Sequence, residues 1–180
     1  VVDNFKYYGI GLLVERELQY LKDMMNKPKR PLAFLLGGAK VSTKIQLIKR
    51  YLHMADSIII GGGMAFTFLK AMGYNIGKSL VEEKMLKNAR SIIDLARASG
   101  KELILPVDVI CSKSLDSAPI ENAVDIREIS NDFMGLDIGP KSIKLFNQIL
   151  GSSSTVIWNG PMGVFENNAY SNGTKLIAEN

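Results

Sequence analysis

The chain has 180 residues, 47% of them hydrophobic and 22% charged, with a net charge of +4, so it can bury a core as one globular domain. Its lysines and arginines are spread along the sequence without runs or aromatic interleaving, which favours small anions over nucleic acid as partners. No apolar segment reaches membrane-spanning length, Val1-Val2-Asp3-Asn4 is not a signal peptide, and a lone cysteine, Cys111, cannot form an internal disulfide; it reads as a buried, inert thiol and the compartment as cytoplasmic.

In chain order, Val1 to Tyr8 reads as the tail of an element entered midway, and so as part of a longer protein. After Gly9-Ile10-Gly11, the stripe Val14, Leu18, Leu21, Met25 predicts an amphipathic helix from Leu12 to Met25 that packs on a sheet. Pro28 and Pro31 close it. Leu32 to Leu36 is apolar without alternation, as in a strand covered on both faces at the centre of a parallel sheet. A helix is expected from Ala39 onward, continuing through Ile45, Ile48 and Leu52 to His53, the only histidine, which reads as a C-terminal helix cation. Ser57 to Ile60 is a second covered strand, followed by Gly61-Gly62-Gly63 and a helix from Met64 to Met72.

A long helix is expected from Val81 to Ser99, with Leu86, Ala89, Ile93 and Ala96 inward and Gly100 beyond its end. Glu102 to Val109 reads as one strand limited by Pro106. From 110 to 131 the periodicity weakens into a surface excursion with short strands. Met134-Gly135-Leu136-Asp137-Ile138-Gly139 leads to Pro140, a fitting first residue for a helix to Leu150. Thr155 to Trp158 reads as another covered strand with Trp158 in the core, and a last helix starts at Thr174. Strands alternating with helices make the class α/β, a Rossmann-like three-layer α/β/α arrangement with a largely parallel sheet; the helix that begins at Thr174 suggests that the sheet is incomplete at the C-terminus.

The chemistry gathers where strands end in glycines. Gly37 and Gly38 let the backbone turn sharply and let a ligand approach it. Lys40 and Lys44, four positions apart, would share one face of the expected helix, beside free N–H groups, and this is a site for a polyanion. The alternative is a solvated helix face with two surface lysines. Walker A fails because Ala39 precedes Lys40, and GxGxxG fails at both glycine clusters. Asn159 and Glu166 flank a glycine-proline turn at the same sheet edge, where they could hydrogen-bond sugar hydroxyls or an amide-like ring; Glu166 reads equally well as an N-terminal helix carboxylate.

LGGAKVSTK (Leu36 to Lys44), IIGGGMAFTFLKAMGYNIGKSLVEE (Ile59 to Glu83), LPVDV (Leu105 to Val109), MGLDIGP (Met134 to Pro140) and WNGPMGVFE (Trp158 to Glu166) resemble, in order, the nucleotide-binding C-terminal domain of the phosphoglycerate kinase family. The resemblance implies that residues 1–180 are part of that domain and that the whole enzyme, a glycolytic phosphotransferase with a carboxyl-group acceptor, moves a phosphoryl group between 1,3-bisphosphoglycerate and ADP. It implies ADP or ATP with magnesium as ligands here, 3-phosphoglycerate or 1,3-bisphosphoglycerate on an absent N-terminal domain, and a monomeric full-length enzyme. By motif position, Lys40 would follow the transferring phosphoryl group and Lys44 would hold the nucleotide phosphates. Gly38 and Ala39 would approach the phosphates. Gly62, Gly63, Leu80, Gly135 and Leu136 would wall the adenine pocket, Glu166 would bind ribose, and Asn159, Pro161, Gly163 and Val164 would line the remaining edge.

Thr43 stands where many family members carry an acidic residue, and the family's GGGDS and GGGAS segments are not in this sequence. The aspartate of the former would bind the nucleotide's magnesium, so the resemblance implies no metal ligand in this chain and little activity for it alone. Two other classes stand beside this one. A nicotinamide dehydrogenase would need the dinucleotide fingerprint, which is missing. A non-catalytic nucleotide-binding domain would have the same pocket and would not turn over when the N-terminal domain is supplied.

Overall fold

The computed structural model describes Gly9 and residues 11–180; the reading of Val1 to Tyr8 lies outside them. Four parallel strands form the main sheet: β1 (Leu32–Leu36), β2 (Ser57–Ile60), β3 (Glu102–Ile104) and, from the end of the chain, Thr155–Asn159, in the order β3, β2, β1, then the late strand. β1 is therefore interior and buried at every position, as its unbroken apolar run predicts.

Alternation along the strands divides the core into two layers. Phe34, Leu36, Ile58 and Ile60 face α2 (Ile45–Met54) and α4 (Leu86–Ala98), meeting Ile48, Leu52, Ala89, Ile92 and Ile93. Ala33, Leu35, Ile59 and Ile104 point the other way, onto Phe146 and Leu150 of α5 (Pro140–Gly151) and Ile177 of α6 (Asn172–Ala178). Each fully buried large side chain is worth about 1.5–3 kcal/mol, so strand and both layers form together as a three-layer α/β/α fold. α3 (Met64–Ala71) follows β2 and ends at Gly73, in the left-handed region at φ 95°.

Several expectations need correction. The stripe of α1 (Leu12–Asn26) does not pack on the sheet where it is described: Val14 and Leu18 are 45% and 52% exposed. Helical periodicity reveals an apolar face, not the body that covers it. The side chains of Leu21 and Met25 lie outside the described residues. The long helix begins only at Leu86, after a 3-10 turn at Glu83–Met85, so Val81 and Glu82 lie in an extended approach to it.

Glu102 to Val109 is two strands. β3 stops at Ile104, and after Pro106 the chain enters β4 (Asp108–Ser112) in a second sheet, where it pairs antiparallel with β5 (Val124–Asp125) and β6 (Met134–Ile138). Residues 110–131 thus hold the end of β4, β5 and their connections. This sheet packs on α3 through Phe66, Leu69, Val109, Cys111 and Ile129; Cys111 is fully buried, and burial pushes its thiol up to about 11.

The strand Thr155–Asn159, β7, is not covered on both faces: it is an edge strand with Val156 40% exposed. Trp158 is half-buried, packs against the second core layer and donates its indole N–H to the Gly160 carbonyl at 2.7 Å.

Candidate functional site

The carboxyl ends of β1, β2 and β7 meet backbone to backbone. Gly37 N–H donates to Asn159 O at 2.9 Å, Gly38 N–H to Pro161 O at 2.9 Å and Gly62 N–H to Met162 O at 3.0 Å. Gly62 and Gly160 have φ of 64° and 90°, and a Cβ would stand 2.6 Å from Gly38 N in the first case and 2.5 Å from Gly37 O in the second. Only glycine permits three loops to lie this close. The Met162 side chain fills the space beneath them, against Gly37 and Gly61.

Above these loops lies a cavity of about 510 Å³. Its lining includes Gly38, Ala39, Gly62, Gly63, Leu80, Gly135, Leu136, Pro161, Gly163, Val164 and Glu166, so the residues singled out in separate motifs stand round one space. Apolar walls with a few polar groups at the rim are the usual build of a small-molecule pocket. Gly135 has no side chain, and the Phe66 ring occupies that space against β6.

Lys40, Lys44 and Asn159 stand at the glycine edge and not in the cavity lining. Lys40 is not on a helix, and this corrects the expectation of a helix from Ala39. The segment 40–44 is a tight turn with Lys44 N–H bonded to Val41 O and the Thr43 hydroxyl to Lys40 O, both at 2.9 Å; α2 starts after Lys44. The N–H groups of Val41, Ser42 and Lys44 are not free. The Glu82 carboxylate accepts from Ser42 N–H at 2.9 Å and from the Ser42 hydroxyl at 2.5 Å. Burial raises the proton affinity of Glu82, but Ser42, the Val41 N–H and the nearby Lys40 ammonium outweigh it and hold the carboxyl below its ordinary range. Lys44 lies beside Gly38, where a Cβ would be 3.6 Å from its Cε, and its Nζ donates to Asn159 Oδ1.

Residues that the motifs contain but that the sequence does not single out for the site also line the cavity, among them Phe66, Lys78, Met134, Asp137 and Phe165. Asp137 sits inside a motif read for its glycine and leucine. Its buried carboxylate accepts from Ile138 N–H at 2.9 Å and Gly173 N–H at 2.8 Å, and a Cβ on either Gly163 or Gly173 would collide with it. Burial pushes its carboxyl up to about 6, with the two N–H groups pulling the other way. Asp108, equally buried, accepts from Lys141 N–H at 3.0 Å and Ser142 N–H at 2.7 Å, which caps α5 from a neighbouring strand.

Among the described residues no group of three or more His, Cys, Asp or Glu is placed to hold a metal ion. No helix described is long and apolar enough to cross a membrane.

The chain is a Rossmann-like α/β protein with a glycine-lined crevice, flanked by lysines, at the carboxyl ends of its strands, the place where open α/β sheets as a class take their ligands. The phosphoglycerate kinase family profile matches residues 1–180. The chain is 51% identical over 168 residues to the phosphoglycerate kinase of Synechococcus sp. (strain JA-2-3B'a(2-13)), which spans 93% of this chain and 41% of that protein. It is 46% identical over 169 residues to the enzyme of Thermosipho africanus (strain TCF52B), which spans 93% and 42%. The solved phosphoglycerate kinase of Coxiella burnetii superposes with a TM-score of 0.89 at 38% identity, over 94% of this chain and 44% of that one; that of Pyrococcus horikoshii OT3 does so with 0.80 at 26% identity, over 94% and 43%. The chain belongs to the phosphoglycerate kinase family, a family of phosphotransferases, and spans about two-fifths of the length of these relatives.

Proposed function

We propose that this chain is the nucleotide-binding part of a phosphoglycerate kinase, within that enzyme's C-terminal domain and in the cytoplasm, and that its cavity takes ADP or ATP. The observation that carries this reading is the convergence of three glycine-ended loops on one cavity of about 510 Å³, with Lys44 against Gly38 at its edge. The adenine lies between Gly62, Gly63 and Leu80 on one side and Gly135 and Leu136 on the other. Glu166 reaches the ribose, and Asn159, Pro161, Gly163 and Val164 line the edge that leads to the phosphates. Gly38 and Ala39 give the phosphates a backbone they can approach closely.

Lys44 holds the nucleotide phosphates, and Lys40, exposed on its turn, follows the phosphoryl group as it moves. In the whole enzyme a β-phosphate oxygen of ADP takes the phosphoryl group from the acyl phosphate of 1,3-bisphosphoglycerate, and the 3-phosphoglycerate carboxylate leaves. Such a transfer asks the protein for positioning and positive charge more than for covalent chemistry. The acyl-phosphate substrate belongs to another part of the longer, monomeric protein, and magnesium comes with the nucleotide. Titration of the chain with ADP and with adenosine, followed by calorimetry, is the test. Tighter binding of ADP than of adenosine is expected; equal affinities overturn the reading of the lysine edge as a phosphate site.

A further inference from the structure

The segment from Lys78 to Glu82 is tied to the cavity along its whole length. At its start Lys78 N–H donates to Phe133 O at 2.7 Å, and the buried Ser79 hydroxyl accepts from Gly135 N–H at 2.9 Å. Leu80 then lines the cavity, packed so closely on Gly63 that a Cβ there would lie 3.0 Å from Leu80 Cδ2. At its end Glu82 N–H donates to the hydroxyl of Thr67, buried in α3, at 3.1 Å. The Glu82 carboxylate reaches across to Ser42, 40 positions earlier in the chain.

The turn that carries Lys40 depends on that reach. The Thr43 hydroxyl and Lys44 N–H bond within the turn. Among the described residues, the hydrogen bonds that join 40–43 to another part of the chain are those to Glu82. With the Val41 and Ser42 N–H groups taken by the carboxylate, the middle of the turn offers a ligand no free donor, and its cation is Lys40.

We propose that Glu82 is a positioning residue for the phosphate end of the site: it clamps the Lys40 turn to the strap that carries Leu80, so that base binding and presentation of Lys40 are coupled through one segment. This rests on the nucleotide reading above. Glu82 touches neither base nor phosphate; it acts through Ser42 and the turn. Loss of a merely structural contact would weaken every ligand of the cavity alike, whereas loss of this clamp weakens ligands in proportion to the phosphates they carry.

The experiment is calorimetric titration of the full chain, as wild type, Glu82→Ala, Glu82→Gln and Ser42→Ala, with ADP and with adenosine. Glu82→Ala is expected to weaken ADP about tenfold, the scale of one charge-assisted hydrogen bond, and to leave adenosine within about twofold. Ser42→Ala, which keeps its N–H, is expected to shift ADP in the same direction by less, and it carries the comparison if Glu82→Ala does not fold. Unchanged or tighter ADP binding in the variants overturns the proposal, as does an equal loss for ADP and adenosine. Wild-type protein that prefers ADP while the variants do not move sinks the clamp alone. Wild-type protein without that preference removes the phosphate reading and the clamp with it.

Discussion

The Lys44 ammonium donates to the Asn159 side-chain oxygen, 115 positions away, and so joins the residue just before α2 to the end of β7. The bond aims a cation along the glycine edge and leaves the ammonium with donors to spare. A phosphate arriving there gains a charge-assisted bond worth roughly 1.5–3 kcal/mol. Lys44→Ala is therefore expected to weaken ADP at least about tenfold, and more at low salt than at high salt. Asn159→Ala removes only the partner that steadies Lys44 and should cost less. Calorimetry at two ionic strengths checks both; equal affinity in wild type and Lys44→Ala would make Lys44 a plain surface charge.

Asp137 gives the fold a pH dependence of uncommon sign. Its carboxyl is pushed by burial up to about 6, above the ordinary carboxylate range, so the folded state binds this proton more tightly than the unfolded chain does. Its contribution to stability therefore grows as pH falls from 7 through 6 toward 4, by on the order of 2–3 kcal/mol in full. Asp56 and Glu82, whose carboxyls are held low, contribute in the opposite direction and lose stability in acid. The two trends separate by comparison with Asp137→Asn, which cannot titrate. Denaturation at pH 7 and pH 5 should show the wild type gaining on the variant at the lower pH; a constant difference would mean that Asp137 keeps an ordinary carboxyl.

What could be read from the sequence depended on whether the deciding partner was local. The run Leu32 to Leu36 needs no partner to announce a covered strand, and the glycines at its end mark the sheet edge. The family motifs assemble most of the cavity wall. Pro106 limits a strand but does not say that the chain changes sheets there, because apolar runs look alike in either sheet. The strand β6 contains Gly135 and Asp137, poor β-formers taken alone; Phe66 fills the space over one and Gly173 N–H meets the other, both from far along the chain. The sequence around Lys40 reads as helix because the carboxylate that holds it as a turn comes from Glu82, outside the local segment.

The glycine edge can be probed one Cβ at a time. Gly62→Ala forces a left-handed backbone at φ 64° and drives the new methyl to 2.6 Å from Gly38 N and 2.8 Å from Pro161 O, backbone atoms that cannot swing away. Gly73→Ala bears a similar strain at φ 95° with nothing within 4 Å. Strain alone costs about 1–2 kcal/mol, so Gly73→Ala should lose about that much and keep its ADP affinity. Gly62→Ala should lose more, at least about 3 kcal/mol once the collision is added, and bind ADP poorly where it folds. Chemical denaturation of the two variants decides; equal losses would show that the three loops can spread apart freely.

The most exposed apolar side chains, Leu12 and Leu13, are not among those that line the cavity. On α1, Leu12 and Leu13 are 83% and 69% exposed, and Val14 and Leu18 join them. The β7 edge adds Val156 and a row of backbone groups on the side turned away from β1. Exposed apolar stripes and open strand edges both promote association. Burial of about 400 Å² of apolar surface is worth roughly 10 kcal/mol before the cost of association, itself about 4–15 kcal/mol, is subtracted, which leaves a weak contact that fills only at high protein concentration. The chain is therefore expected to self-associate as concentration rises, through the α1 stripe more than through the edge. Light scattering against concentration should show Leu18→Glu restoring a monomer while Val156→Lys, which charges the edge, does so only in part. A wild-type chain that stays monomeric throughout would show that neither surface is sticky in water, and the reverse order of the two variants would move the contact to β7.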